Sequence, residues 1–205
     1  MGAYIENPEN VAKTARVTGS ARVSGSARVT GSARVTDSAK VTDSAWVSGS
    51  AKVTGSARVT GSANVSGSAL ISDSAWVEDS AWVTDSARVE DSAKVTGSAW
   101  ITGSALVDGF AHVTKHEELL TGRILDYYFT AFPEEHPNKG RRWILRYGCE
   151  RHPIGSWTEA WIDELCGRHE LKDFQGPGLY PSALADLVEL VWQHSRRVES
   201  EREAE

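Results

Sequence analysis

Two cysteines and two histidines in the second half of the chain form its clearest set of metal-ligating residues. Cys149 is followed three residues later by His152, and Cys166 is followed by His169 at the same spacing. On a helix, residues three apart share a face, so Cys166 and His169 could bind one ion together. Two thiolates and two imidazoles suit tetrahedral Zn²⁺. The sequence therefore predicts one structural zinc ion, and the alternative is two buried apolar cysteines beside surface histidines.

The elements that position these residues begin with a long internal repeat. An aliphatic residue recurs every six positions from Ile5 to Val113, which makes 19 positions in one phase, and nearly every copy has Ala two residues earlier. In a copy such as Ala57–Arg58–Val59–Thr60, small and bulky residues alternate, which predicts a short strand with Ala and Val on its inner face. Gly or Asp followed by Ser then predicts a turn. Such strands bury their inner faces only by stacking, so the repeat predicts a solenoid.

The pattern aliphatic-x-x-x-small-x resembles the hexapeptide repeat of the left-handed parallel β-helix family. The resemblance implies that three hexapeptides make one triangular, left-handed coil. We therefore expect residues 1–115 to form a β-helix of about six coils that is roughly 30 Å long. Many members of this family are acyltransferases, and the resemblance to them implies a catalytic histidine in the coils, a protruding loop and a trimer with the ligand between subunits.

A coil of 18 residues would place residues 18 apart in one outward column. One such column gathers three of the four tryptophans of the repeat, Trp46, Trp82 and Trp100, and its only charged residue is Arg28. The neighbouring outward column contains only Thr and Ser. Contiguous exposed apolar surface usually marks an interface. We therefore expect this Trp/Thr face to contact a protein partner or a second copy of the chain, and the alternative is that the indoles only shield the sheet.

After Val113 the period stops, and residues 116–205 predict a small α+β cap domain with a β-hairpin and two helices. Residues 123–132 and the alternating Trp143, Leu145 and Tyr147 predict the two strands. Ser156 to Glu159 resembles a capping box that opens the first helix. Pro181 is predicted to start the second helix, and its charged end, 196–205, is predicted to fray.

Charge and composition narrow the classes of function. The tail carries the whole net charge of −6, and the repeat is neutral overall, with a basic first half and an acidic second half. Acidic residues in 61–115 interrupt any long basic track, which argues against nucleic acid as the partner. Two cysteines, no apolar run of about 18 residues and no secretory segment predict a cytoplasmic protein that does not enter membranes.

The enzyme interpretation is the main alternative. The repeat contains no inserted loop, and the only histidine in its coils is His112, in the last one. A general base also needs a cleft and an orienting partner. We therefore expect no catalytic residue and a non-catalytic repeat scaffold, acting through the Trp/Thr face and the C-terminal domain, with a hexapeptide acyltransferase-like enzyme as the alternative. Long monotonous arrays resemble bacterial or bacteriophage proteins, which implies a sequestering or host-modulating role.

Overall fold

A computed structural model describes residues 2–124, 127–148, 150–168 and 179–204. The chain forms two compact units, Met1–Leu119 and Leu120–Glu205. The first unit is built almost entirely from two-residue parallel strands, and the second combines an antiparallel sheet with two helices.

The first unit contains eighteen short strands, one in nearly every hexapeptide. In chain order, β1 to β18 are Tyr4–Ile5, Arg16–Val17, Arg22–Val23, Arg28–Val29, Arg34–Val35, Lys40–Val41, Trp46–Val47, Lys52–Val53, Arg58–Val59, Asn64–Val65, Leu70–Ile71, Trp76–Val77, Trp82–Val83, Arg88–Val89, Lys94–Val95, Trp100–Ile101, Leu106–Val107 and His112–Val113. Short 3₁₀ turns at Pro8–Asn10 and His116–Glu118 lie in the first and last coils.

These strands stack into three parallel sheets, which confirms the predicted mainly parallel β-solenoid of about six coils. One sheet has seven strands (β1, β3, β6, β9, β12, β15, β18), one has five (β4, β7, β10, β13, β16) and one has six (β2, β5, β8, β11, β14, β17). The register is constant, since each strand pairs with the strand 18 residues away, as Arg58 pairs with Trp76.

Side-chain alternation explains why the coils close around a core. The Ala and aliphatic positions of the regular coils are buried, and Ala57 and Val59 are completely so. The backbone is held between coils, because Arg58 N–H donates to Ala75 O at 2.9 Å and Thr60 N–H donates to Val77 O at 2.9 Å. A two-residue strand thus gains its stability from the stack and not from its own length.

Each corner between sheets needs a residue with positive φ. Glycine fills most corners, and six aspartates fill the others with φ between 58° and 62°. At Gly67 an added Cβ would lie 2.7 Å from the backbone nitrogen of Asp85 in the next coil, so a larger residue there would have to push that backbone away. Five of the six corner aspartates also accept a backbone N–H of the next coil with their carboxylates, as Asp43 does from Gly61 at 3.1 Å.

Glutamate carboxylates bind backbone N–H groups near both ends of the solenoid. Glu6 accepts the N–H of Gly25 at 2.8 Å in the first coil. Glu118 is buried and accepts the N–H of Thr114 at 2.6 Å and that of Lys115 at 3.3 Å. Strand N–H groups donate to the following coil, so the N–H of Thr114 in the last coil has no such acceptor, and Glu118 satisfies it.

The second unit is a four-stranded antiparallel sheet packed against two helices. Its core contains Leu145 from the sheet and Leu184, Leu187 and Val191 from the second helix. The strands are β19 (Leu120–Ile124), β20 (Tyr127–His136), β21 (Gly140–Tyr147) and β22 (Glu150–Pro153), followed by a 3₁₀ turn (Ile154–Ser156) and the helices α1 (Glu159–Arg168) and α2 (Leu179–Glu203). A small C-terminal α+β region is therefore confirmed.

The strand prediction for 123–132 is wrong in detail. The structure has two paired strands there, β19 and β20, and β20 continues through Pro133 to His136. Gly122 lies opposite Phe129, and a Cβ at Gly122 would lie 2.7 Å from the Phe129 ring. Because Gly122 has no side chain, the Phe129 ring can lie across β19. The hydrophobic pattern of the sequence does not predict this contact.

Two helix predictions are also corrected. The first helix is capped by Thr158, whose hydroxyl accepts the N–H of Trp161 at 3.3 Å, because Ile154 to Ser156 form a 3₁₀ turn instead of the predicted capping box. The end of α2, which the sequence predicts to fray, is helical as far as Glu203, and Val198 there is buried. That end is held by tertiary contacts, which are invisible in its charged sequence.

Candidate protein-interaction surface

The outward column predicted from the 18-residue spacing lies on the five-stranded sheet. Trp46 pairs in register with Arg28 on one side and Asn64 on the other, and Trp82 pairs with Asn64 and Trp100. We call the outward surface of Arg28, Trp46, Asn64, Trp82 and Trp100 the Trp face. These side chains are adjacent because each is preceded by a buried Ala and followed by a buried Val or Ile, which fixes the outward phase.

The three indoles of the Trp face are unusually accessible. Trp46, Trp82 and Trp100 are 47%, 48% and 46% exposed. Trp46 is nevertheless oriented, because its Nε1–H donates to Thr30 Oγ1 at 3.0 Å in the preceding coil. Trp82 and Trp100 meet edge to face, with ring centroids 6.0 Å apart. The face is thus an ordered apolar surface with much of its aromatic area still open to water.

A fourth tryptophan shows what a covered indole looks like on the same scaffold. Trp76 lies on the seven-stranded sheet between Arg58, whose guanidinium is 4.6 Å from the ring centroid, and Lys94, whose ammonium is 5.3 Å away. Two cations flank that ring, and it is only partly exposed. Trp76 therefore serves its own chain through cation–π contacts, in contrast to the indoles of the Trp face.

Asn64 sits at the middle of the Trp face. Its Oδ1 is buried and has no hydrogen-bond partner among the described residues. A buried amide oxygen without a donor is unfavourable by about 1–3 kcal/mol. The Trp face therefore has a buried hydrogen-bond acceptor, Asn64 Oδ1, without a donor at its centre.

The predicted zinc ligands fall largely outside what the structure describes. Cys149 and His169 lie outside the described residues, and for Cys166 only the backbone is described, within α1. His152 lies on β22, with Nε2 3.1 Å from Glu150 Oε2 and its ring 4.7 Å from that of Trp161. Among the described residues, no group of three or more His, Cys, Asp or Glu side chains could hold a metal ion. The zinc site stays a prediction.

The second unit contains a charged cluster that sequence reasoning missed. Glu134 on β20 is buried and accepts hydrogen bonds from Arg142 on β21, at 2.7 and 2.9 Å, and from Arg151 on β22, at 2.7 Å. Burial disfavours the charged carboxylate, but the hydrogen bonds and charges of Arg151 and Arg142 outweigh it and lower the pKa of Glu134 below its usual value. The only sequence signal was the alternation of opposite charges on neighbouring strands.

An open groove of about 560 Å³ lies along α2 in the same unit. Its walls include Trp143 and Ile154 on one side and Trp192, Arg196 and Glu199 on α2. Glu199 is already bound by Arg141 Nε at 2.9 Å and by Trp143 Nε1 at 2.8 Å. The groove therefore combines an apolar wall with charges that stabilise the fold.

The last coil contains His112, the histidine of the enzyme alternative, and His116 follows it in the chain. His112 is the outward residue of β18, in register with Lys94. His116 begins the 3₁₀ turn, and its ring centroid is 5.8 Å from that of Trp100. His116 thus extends the aromatic surface of the Trp face.

Comparison with protein-family models, with curated proteins and with solved structures found no match to this chain. Within the described residues, no helix is long and apolar enough to cross a membrane.

Proposed function

We propose that this protein is a non-catalytic scaffold whose repeat presents the Trp face to a protein partner or to another copy of the chain. The single observation that carries the proposal is three tryptophans in one column, each nearly half exposed. Exposed aromatic side chains with few charged neighbours are typical of the core of an interface, and Arg28 is the one charged residue of the Trp face. A solenoid of uniform coils is suited to binding another protein, since each coil adds binding surface and none adds a cleft for a small substrate.

The setting of this activity is part of the proposal. We assign the solenoid to the left-handed hexapeptide-repeat family on the strength of its repeat, in a cytoplasmic protein of bacterial or bacteriophage origin. Sequestering of a host component is the role that such an array suits, because it offers a long surface without chemistry of its own. A chain with only two cysteines fits a reducing compartment.

The experiment compares tryptophan substitutions on two sheets. Trp82→Ser with Trp100→Ser should leave the melting temperature nearly unchanged and abolish association measured by light scattering or by pull-down with the purified chain. Trp76→Ser is the matched control, since it removes an indole that Arg58 and Lys94 already flank, and association should persist. Association that is unchanged in the double variant would refute the proposal. A rise in melting temperature with acyl-CoA would favour the acyltransferase-like alternative.

A further inference from the structure

We infer that the Trp face docks against the Trp face of a second copy, with the two solenoids antiparallel and a twofold axis passing at Asn64. The inference rests on the proposed function, because it names the occupant of the same surface. It commits to one register, in which every residue of the column faces the residue equally far from Asn64 in the second copy. Such an isologous contact is the commonest way for identical chains to associate.

The order of residues in the column carries this register. Asn64 lies on β10, the middle strand of the five-stranded sheet. Reversing the column about Asn64 places Trp46 against Trp82 of the second copy and Arg28 against Trp100 of the second copy. The first pairing is aromatic on aromatic, and the second is a cation on an indole, which is the best aromatic partner for a guanidinium. By symmetry each contact forms twice, and the full column is covered.

The charge distribution of the repeat favours the antiparallel arrangement over the parallel one. Residues 1–60 carry 8 basic and 4 acidic side chains, and residues 61–115 carry 3 basic and 7 acidic ones. Antiparallel docking sets the basic half of one copy beside the acidic half of the other, whereas parallel docking sets like beside like. Complementary potentials of this kind select the orientation of two partners.

The pairing leaves the dimer weak. The column spans roughly 19 Å, four strand spacings of about 4.8 Å each, and the patch is small beside a standard interface of about 800 Å² per partner. At one edge, Asp43 also approaches Asp79 of the second copy, and both carboxylates remain engaged by the N–H groups of Gly61 and Gly97 in their own chain. We therefore expect a micromolar dissociation constant.

The test is a double-mutant cycle on residues 28 and 100, read by sedimentation equilibrium of the full chain. Arg28→Glu and Trp100→Arg should each weaken the dimer about tenfold, because each destroys two cation–π contacts. The combined variant should recover to within about threefold of the original, because the carboxylate introduced at position 28 would then face the guanidinium introduced at position 100 of the second copy, twice per dimer. The two positions lie about 19 Å apart within one chain, so such recovery must arise between copies.

Arg34→Glu is the matched control for the change in charge. It makes the same substitution one hexapeptide along, on β5 of the six-stranded sheet, and should change the dissociation constant less than twofold. If Trp100→Arg lowers the melting temperature, the same double-mutant cycle is repeated with Arg28→Asp and Trp100→Lys. A dimer without recovery in the combined variant would overturn the inferred register.

A second outcome separates the inference from the function on which it rests. If the chain stays monomeric at every concentration while Trp82→Ser with Trp100→Ser abolishes capture of a different protein, the inference is wrong and the proposed function stands. If association survives the double Ser variant, both are wrong.

Discussion

The carboxylate of Asp37 accepts a hydrogen bond from the backbone N–H of Gly55 at 3.1 Å, one coil further along the solenoid. The same contact recurs 18 residues apart from Asp43, Asp79, Asp85 and Asp91. Backbone donors at the strand positions bind carbonyls of the next coil, but the corner N–H needs an acceptor of another kind. These five aspartates therefore link neighbouring coils through their side chains, although the sequence pattern indicates only turn residues.

Asp37→Ala should destabilise the solenoid by about 2 kcal/mol, because it loses one hydrogen bond and places Ala at a positive φ. Asp37 has φ 61°. Asp37→Asn should cost about 0.5 kcal/mol, since Asn tolerates this conformation and keeps an acceptor. Urea unfolding of the three proteins measures the difference.

Asp37→Gly separates the two contributions to that cost. Glycine adopts the corner conformation freely but has no acceptor, so its cost should lie between those of Asn and Ala. Equal stabilities for the Gly and Asp proteins would contradict this prediction, because the bond to Gly55 would then contribute no more than glycine gains at the positive φ.

A pair of neighbouring substitutions tests the alternation of the repeat. Val59→Asp should cost several kcal/mol, because Val59 is completely buried and a carboxylate there has no cationic partner. Arg58→Asp, one residue earlier and outward, should cost less than about 1 kcal/mol, mainly through loss of its contact with the Trp76 ring. Thermal unfolding compares the two. Equal losses would contradict the assignment of inner and outer positions.

The solenoid could be predicted closely because its information is local and repeated. The spacing of residues such as Ala57 and Val59 is enough to predict that they are buried, and they are. The 18-residue register places Trp46, Trp82 and Trp100 in one column, as predicted. The corner links were not predicted, because the bond from Asp37 to Gly55 depends on side-chain direction at a positive φ. Periodicity fixes which residues stack and says nothing about which atoms meet.

The tail was predicted less accurately because its contacts are not periodic. Glu199 lies in a charged stretch that predicted fraying, yet it is held by Arg141 and Trp143, more than fifty residues away. Thr158 caps the helix in place of Ser156, because Ser156 belongs to the 3₁₀ turn Ile154–Ser156, in which Ile154 is buried. Long-range partners of this kind decide local structure and leave no local pattern.

Glu134→Gln should destabilise the second unit by about 3 kcal/mol at neutral pH, since it breaks a buried ion pair whose arginine partners remain partly exposed. The pKa of Glu134 is lowered in the folded protein, so its contribution is present above the usual pKa of glutamate and is lost as the pH falls through the lower folded value. The difference between the two proteins should therefore shrink as the pH falls below the usual pKa of glutamate.

The far-UV helical signal is the measurement for this prediction, because α1 and α2 belong to the second unit. Glu135→Gln is the matched control: this neighbouring carboxylate is about half exposed and 3.5 Å from Arg141. It should cost less than about 1 kcal/mol. A Glu134→Gln protein as stable as the Glu135→Gln protein, or a difference that does not depend on pH, would contradict the role given to the buried pair.

Cys149, His152, Cys166 and His169 are predicted to bind one zinc ion. Protein purified without a metal-affinity tag should contain about one zinc per chain by elemental analysis, and Cys149→Ser with Cys166→Ser should remove it. Chelator should lower the melting temperature of the tail and leave the repeat unchanged. Acid should act in the same direction, because protons compete with the metal for thiolates and imidazoles as the pH falls.

The control for zinc uses a histidine outside the proposed ligand set. His194→Ala changes a residue whose ring packs edge to face on Trp143 at 5.5 Å, so its zinc content should stay near one per chain. His152→Ala should lose zinc. Nε2 of His152 contacts Glu150, and the other ring nitrogen, Nδ1, is the one that would bind the metal. A stoichiometry near zero, with both thiols reactive and the tail equally stable in chelator, would contradict the zinc site. It would favour the alternative of two apolar cysteines beside surface histidines.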